Sequence, residues 1–300
     1  MSITKSYMYN ILITGASGQL GSELQAIAGQ YDYVFHFKNS NALDITNHEL
    51  FEQFVVDYKI NVIINCAAYT AVDKAESEPE LANAINHLAV KHMAEVAKAQ
   101  QIKLVHISTD YVFDGRNHKP YVETDATNPK SVYGQTKLDG ELAIQAVNPS
   151  NSIILRTSWV YSKYGNNFVK TMLRLAETKD ELSVVSDQIG SPTNAADLAK
   201  TILTTIPQIE NDSSEIYHYS NKGCCSWYEF AKHIFKICNF EIEIKSILSK
   251  DFSQLAKRPS YSKMNSNRIS QKFNVENFEW RDSLNKLIKN KNLKNNFPTK

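Results

Sequence analysis

An α/β fold, a doubly wound parallel sheet with a smaller C-terminal lobe, is predicted by three features of the sequence. Short runs rich in Ile and Val alternate with helical stretches through the first half of the chain. A glycine-rich turn joins the first run to the first helix, and the alternation loosens after about residue 156. A chain of 300 residues with 42% hydrophobic side chains is long enough to bury a substantial core.

Taken in order, 10–14, 33–37, 61–65, 103–108 and 152–155 read as buried strands, each short and bounded by polar or glycine positions. Between them, 19–28, 47–58, 80–100 and 131–146 read as helices, the second with Asp44, Thr46 and Asn47 as candidate caps. Alternation of this kind implies right-handed crossovers. Further on, helices are expected over 167–178, 194–205 and 226–238, and strands over 182–185 and 216–219. Gly190-Ser191-Pro192-Thr193 and Arg258-Pro259-Ser260 read as loops.

Composition excludes several function classes. Lys and Arg total 33 against 32 Asp and Glu, a net charge of +1, which gives nucleic acid or an acidic membrane no electrostatic hold. The basic residues Lys286, Lys289, Lys291 and Lys294 read as a solvated, frayed tail, and 1–7 as a loose leader to the fold. No early segment has the apolar length of a signal peptide or membrane span, so a cytoplasmic protein is expected. The cysteines Cys66, Cys224, Cys225 and Cys238 contain no CxxC pair and read as incidental thiols, with no metal site.

Gly15-Ala16-Ser17-Gly18-Gln19-Leu20-Gly21 follows the first strand and opens the first helix. Gly15 suits a tight turn, Gly18 lets the backbone approach a pyrophosphate, and Gly21 lets helix and strand pack closely. The helix N-terminus offers amides to the anion. Strand, glycines and helix in that order make this a Rossmann dinucleotide site, with Gly15, Ser17, Gly18, Gln19 and Leu20 at the cofactor. Asp44 and Ile45 after the second strand, and Ala67, Ala68 and Tyr69 closing the third, join the cofactor set, as do Tyr133 and Lys137 further on, the lysine at the nicotinamide ribose. The second strand ends without a carboxylate; Lys38, with His36 as a second candidate, could meet a 2′-phosphate. NADPH is therefore the expected cofactor and NADH the alternative. The division expected is 8–160 for the dinucleotide-binding domain, with part of 161–210 returning to it. Residues 161–300 would form mainly a substrate-binding lobe over the strand ends.

Tyr133 and Lys137 stand four apart on one helix face. A free phenol titrates near 10, and an adjacent ammonium would lower it; reaching about 7, a change worth roughly 4 kcal/mol, would take that cation together with the oxidised nicotinamide. Tyr133 could then give its proton to a carbonyl oxygen as hydride reaches the carbon. Just past the fourth strand, Ser108 and Thr109 both offer a hydroxyl to the same oxygen.

These motifs, with Thr70-Ala71-Val72-Asp73-Lys74-Ala75-Glu76, Ser108-Thr109-Asp110-Tyr111-Val112-Phe113, Arg156-Thr157-Ser158-Trp159-Val160-Tyr161, Gly165-Asn166-Asn167-Phe168, Asp187-Gln188, Pro192-Thr193 and Arg258-Pro259, resemble the extended short-chain dehydrogenase/reductases. Within them the chain is similar to the dTDP-4-dehydrorhamnose reductase family, from Tyr9 through roughly Ser270. The resemblance implies NAD(P)H-dependent reduction of the 4-keto group of dTDP-4-dehydro-β-L-rhamnose in nucleotide-sugar biosynthesis. It implies catalytic roles for Thr109 (over Ser108), Tyr133 and Lys137, and a sugar site lined by Thr109, Asp110 and Trp159. Arg258 would face the sugar-nucleotide pyrophosphate, with a structural salt bridge as its competitor. Some members dimerise around magnesium held by glutamates. Glu23 matches one such position, but Ala196 stands where another carboxylate is expected, beside Asp197, which argues against a magnesium-bridged dimer. A monomer and a plain homodimer both remain compatible. Two other readings share the scaffold: a reductase of another dTDP-4-keto-6-deoxyhexose, and a non-catalytic NADP-binding subunit like the regulatory subunit of methionine adenosyltransferase.

Overall fold

The computed structural model of the chain describes residues 9–289. Expectations for 1–7, Lys291 and Lys294 fall outside the described residues. The first half runs β1 (Asn10–Thr14), α1 (Gln19–Ile27), β2 (Val34–Lys38), α2 (His48–Asp57), β3 (Val62–Asn65), α3 (Val72–Ala75), α4 (Pro79–Asn83), α5 (Ala89–Ala99), β4 (Lys103–Thr109), α6 (Val132–Val147) and β5 (Ser152–Thr157). Caps sit where polar side chains allow. Asn47 accepts from the Leu50 amide at 3.1 Å to open α2, and Ser131 accepts from the Gly134 amide at 3.1 Å to open α6.

The helix expected over 80–100 is present as one continuous run from Pro79 to Ala99, with a change of pitch inside it. Between α4 and α5 the backbone passes through a π-helical turn, Ala84–Leu88, which buries Asn86. The Asn86 amide bonds the Tyr69 N–H, the Tyr69 carbonyl and the Thr136 hydroxyl, tying the loop after β3 to α6.

The second half adds β6 (Val160–Tyr161), α7 (Phe168–Ala176), β7 (Glu181–Val185), β8 (Ile189–Gly190), β9 (Thr193–Asn194), α8 (Ala195–Thr205), β10 (Glu215–His218), β11 (Cys225–Ser226), α9 (Trp227–Cys238), β12 (Glu243–Ile247), α10 (Asn267–Phe273) and α11 (Trp280–Lys289). Six strands form one parallel sheet in the order β10-β5-β4-β3-β1-β2. The return of the chain to this sheet therefore extends past residue 210, through β10. Strand order reverses between β1 and β3, which opens a crevice at their carboxyl ends.

Period-two alternation explains why both faces are covered. Ile11, Ile13, Val62, Ile64, Val105, Ile153 and Leu155 face α1 and α8. Leu12, Ile63, Leu104 and Ile154 face α2, α5 and α6. A third apolar cluster joins α7, α9 and α11 through Val169, Leu173, Phe230, Ile234, Trp280 and Leu284.

That cluster corrects the reading of a frayed basic tail. Lys286 and Lys289 are exposed, but on an ordered helix whose other face buries Trp280, Leu284, Leu287 and Ile288, spaced i, i+4, i+7, i+8. β12 and α10 also lie beyond the sequence reading; β12 is half-polar, and α10 is only seven residues long.

His106 and His218 are fully buried, and burial holds both imidazoles well below their usual range, His218 down to about 3. The unfolded chain protonates these rings below about pH 6.5 and the native chain does not, so stability is lost as pH falls from there. Asp110, pushed up to about 6 by burial, opposes this between about pH 6 and 4, as one carboxyl against two imidazoles. The urea midpoint is expected to drop between pH 7 and 4.5; a flat or rising midpoint would contradict the buried neutral rings.

Candidate active site

The glycine turn meets the crevice. Gly15 has φ +64°, and a Cβ there would stand 2.6 Å from the Ala67 nitrogen and 2.7 Å from the Cys66 carbonyl oxygen. Only glycine lets the end of β1 lie this close to the end of β3. No side chain caps the first turn of α1, whose N-cap is Gly18, and no carboxylate lies in that turn. An anion would therefore meet backbone amides and the positive end of the helix.

The other expected cofactor residues are placed unequally. Ser17 and Gly18 are exposed at the turn, and Ala67, Ala68 and Tyr69 are half-buried opposite it. Gln19 spends its side chain bridging to the Val160 carbonyl and to Asn167. Leu20 and Ile45 bury their side chains in the two cores flanking the sheet, leaving only backbone for a ligand. Asp44 is exposed and accepts from the Thr46 amide and hydroxyl at 2.9 and 2.8 Å.

Lys38 lies at the crevice: its carbonyl accepts from the Ala16 amide at 3.1 Å, and its ammonium stands 4.9 Å from the Phe54 ring centre. His36, two residues back on the same strand face, packs edge-on against the same Phe54 ring at 5.9 Å. Its Nε2 is 2.8 Å from Asn10 Oδ1, two residues back along β2 and toward the start of β1.

Thr109 ends β4 and caps the short turn Asp110–Val112, its Oγ1 accepting from the Tyr111 amide at 3.2 Å. The Tyr133 phenol, from the first turn of α6, is hydrogen-bonded to Thr109, and its ring packs edge-on against Tyr111 at 5.4 Å. Strand alternation turns Ser108 the other way, where it donates to Glu141. Thr109 is thus the hydroxyl that shares a site with Tyr133. Lys137 lies below it, 1% exposed, donating to the Ile107 carbonyl at 2.7 Å and standing 3.1 Å from His106 Nε2.

The electrostatics differ from expectation. The phenol is pushed up to about 12, first by burial and then by the Asp110 carboxylate, with Thr109 pulling back. Lys137 does not draw it down, because its nitrogen is committed to β4. Burial brings Lys137 itself down to about 8, against the opposing pull of Glu141 and Cys66.

Asp110 is 2% exposed, and its Oδ2 has no hydrogen-bond partner. A buried carboxylate oxygen left bare beside two hydroxyls suits a polyhydroxylated ligand. Trp159 has a left-handed backbone, φ +48°, costing about 1–3 kcal/mol for a non-glycine residue. Its ring stacks on Trp227 at 3.5 Å, and a Cβ at position 190 would meet the indole at 2.5 Å. Arg258 makes the competing salt bridge: Nη2 donates to Asp73 Oδ2 at 3.0 Å, while Nε is buried without a partner. Glu23 is buried and accepts from the Ser162 hydroxyl at 2.6 Å, so it pins α1 to the segment after β6. Among the described residues, no group of three His, Cys, Asp or Glu side chains could hold a metal ion.

Sequence reasoning missed Asn65, His106, Glu141 and Arg156, all buried within hydrogen-bond reach of the site residues or their neighbours. The available signal was a lone polar residue in an apolar strand: Ile64-Asn65, Val105-His106-Ile107 and Leu155-Arg156.

Residues 9–293 match the family described as RmlD substrate binding domain. The chain is 41% identical over 292 residues to the dTDP-4-dehydrorhamnose reductase of Aggregatibacter actinomycetemcomitans, covering 93% of this chain and 98% of that one. The crystal structure of a dTDP-4-dehydrorhamnose reductase from Clostridium acetobutylicum matches with TM-score 0.88 at 42% identity, over 93% of this chain and 98% of the other. That of the Bacillus anthracis dTDP-4-dehydrorhamnose reductase in complex with NADP matches with TM-score 0.89 at 40% identity, over 94% and 99%. With a family match across nearly its whole length on a dinucleotide-binding sheet, the chain belongs to the dTDP-4-dehydrorhamnose reductase family.

Proposed function

We propose that this chain reduces the 4-keto group of dTDP-4-dehydro-β-L-rhamnose to dTDP-β-L-rhamnose with NADPH, acting in the cytoplasm. The observation that carries the reading is the hydrogen bond between Tyr133 and Thr109, with Lys137 one turn further along α6 and bound to β4. The intact triad favours an enzyme over a non-catalytic NADP-binding subunit.

Gly15, Ser17 and Gly18 and the first amides of α1 would hold the cofactor pyrophosphate, with Ala67, Ala68 and Tyr69 beside the adenosine. The bound dihydronicotinamide supplies the hydride. Tyr133 gives its proton to the C4 oxygen, and a phenol titrating near 12 keeps that proton ready at neutral pH. Thr109 donates to the same oxygen, and Asp110 Oδ2 accepts from a sugar hydroxyl. Trp159 offers an apolar wall to the sugar's methyl and C–H face. Arg258, paired with Asp73, keeps its remaining donors for phosphate. Lys137 holds the nicotinamide ribose. On this reading 8–160, with the later segments that return to the sheet, binds cofactor, and 161–300 mainly shapes the sugar site.

The test follows absorbance at 340 nm with dTDP-4-dehydro-L-rhamnose generated in place and the product identified. Oxidation yielding dTDP-L-rhamnose is expected. A different 6-deoxyhexose would redirect the substrate, and no oxidation by folded protein would return the chain to a binding role.

Lys38→Ala is expected to raise KM for NADPH about tenfold, the worth of one charge-assisted contact of ~1.5 kcal/mol, and to leave NADH unchanged. Equal effects on both cofactors would remove Lys38 from the 2′-phosphate.

A further inference from the structure

The six-stranded sheet ends in two edge strands, and the chain treats them differently. β10 has its outward backbone groups taken up by charged side chains. The His218 amide donates to Glu123 Oε1 at 3.0 Å, and the Ile216 carbonyl accepts from Arg268 Nη1 at 2.9 Å. Charges placed this way close an edge to any further strand. β2, at the opposite end, carries no such cover among the described residues.

The ladder shows which groups of β2 are free. The Val34 amide donates to the Tyr9 carbonyl at 2.8 Å, and the Lys38 carbonyl accepts from the Ala16 amide at 3.1 Å. Even-numbered residues therefore turn their backbone groups to β1, and Tyr33, Phe35 and Phe37 turn theirs outward. The side chains of these three form one ladder of rings on the α1 face, spaced 6.0 and 5.7 Å. No residue of β2 is buried, whereas every other strand of the sheet buries at least two. On the other face Val34 is 37% exposed, and Tyr58, against the His36 ring, 48%. An edge that is apolar on both faces and open in its backbone is a template for another strand.

The sequence of β2 says which strand fits. Residues 32–38 read Asp-Tyr-Val-Phe-His-Phe-Lys, a run that complements itself when reversed about Phe35. In an antiparallel pair with a two-fold axis at Phe35, that residue meets its own copy and Tyr33 meets Phe37. The residues that then exchange backbone bonds are the outward-facing odd-numbered ones. Rings stand opposite rings, and at each end Asp32 meets Lys38. Neither Asp32 nor Lys38 has an ion-pair partner among the described residues. Moving the axis one residue either way sets Lys38 against Val34 or Gln30 and loses both ion pairs.

We infer that β2 is an interface for a second copy of this chain, joined edge to edge about Phe35 into one continuous sheet. The contact uses the same patch on both copies, so it closes at a dimer and needs no metal.

Sedimentation of the whole chain provides the test. It is run without cofactor, because the function proposed above gives the Lys38 ammonium to a 2′-phosphate. At tens of micromolar the parent should sediment at twice the chain mass. Phe35→Lys sets two like charges at the axis and should return it to the chain mass with unchanged circular dichroism. Asp32→Lys should weaken the dimer about tenfold, and adding Lys38→Asp should restore it by rebuilding both ion pairs. Phe35→Cys should cross-link to its own copy on oxidation, since directly bonded partners lie about 5.5 Å apart between Cα atoms. The parent chain, with its native thiols, is the control. A parent at the chain mass would overturn the inference, as would a dimer that survives Phe35→Lys. If that variant fails to fold, the charge swap and the cross-link decide: no rescue and no cross-link would place any dimer contact elsewhere.

Discussion

Tyr133→Phe lowers kcat by roughly 10²–10⁴ while leaving the affinity for NADPH close to that of the parent chain, the usual scale for loss of a general acid. The argument rests on how little else the hydroxyl does. The Tyr133 ring packs edge-on against Tyr111 at 5.4 Å, a contact phenylalanine keeps. Thr109 stays anchored by the Tyr111 amide, so its hydroxyl, which donates to Asp110 until substrate is bound, is still there to turn to the carbonyl oxygen. What disappears is the one proton that burial holds on the phenol at neutral pH. Single-turnover NADPH oxidation, paired with a fluorescence titration of NADPH, separates the step from binding. Turnover near the parental rate would strip Tyr133 of its role as the acid.

The sheet was legible because each buried strand carries its own signal. Ile11 to Ile13, Val62 to Ile64 and Ile153 to Leu155 are continuous apolar runs, as strands covered on both faces must be. The glycine turn and the Tyr133–Lys137 spacing were legible for a similar reason: their geometry is local, set within one loop or one helical turn. What stayed hidden is set across strands. That Ser108 turns to Glu141 and Thr109 to Tyr133 depends on which face of β4 meets α6. That Lys137 bonds His106 depends on residues 31 positions apart. The pairing of Arg258 with Asp73 spans 185 positions, and nothing near either residue announces it. Where the Lys137 ammonium is bound was hidden for the same reason, since a helix-face spacing says nothing of the strand carbonyl it meets.

Arg156→Met is expected to destabilise the fold by about 3–5 kcal/mol, the cost of leaving a buried carboxylate without its counter-ion. For a chain of this size that lowers Tm by on the order of 10 °C. Arg156 and Glu141 are 2% and 1% exposed. The guanidinium meets both carboxylate oxygens, Nε at 3.0 and 3.1 Å and Nη2 at 2.6 Å. The same carboxylate takes the Ser108 hydroxyl, while Arg156 Nη1 reaches His218 Nε2 at 3.4 Å and its plane lies 5.1 Å from the Phe113 ring. The pair thus joins β4, β5, β10 and α6 behind the site. Changing Glu141 to Gln as well removes the stranded charge, so the double variant should lose less than the sum of the two single ones. Urea unfolding of the parent, both single variants and the double variant closes that cycle. A loss below about 1 kcal/mol for Arg156→Met, the range of exposed pairs, would show that the carboxylate reaches water or binds a proton. A full loss would mean that the pair is held away from water and fastens β5 to α6 behind the site.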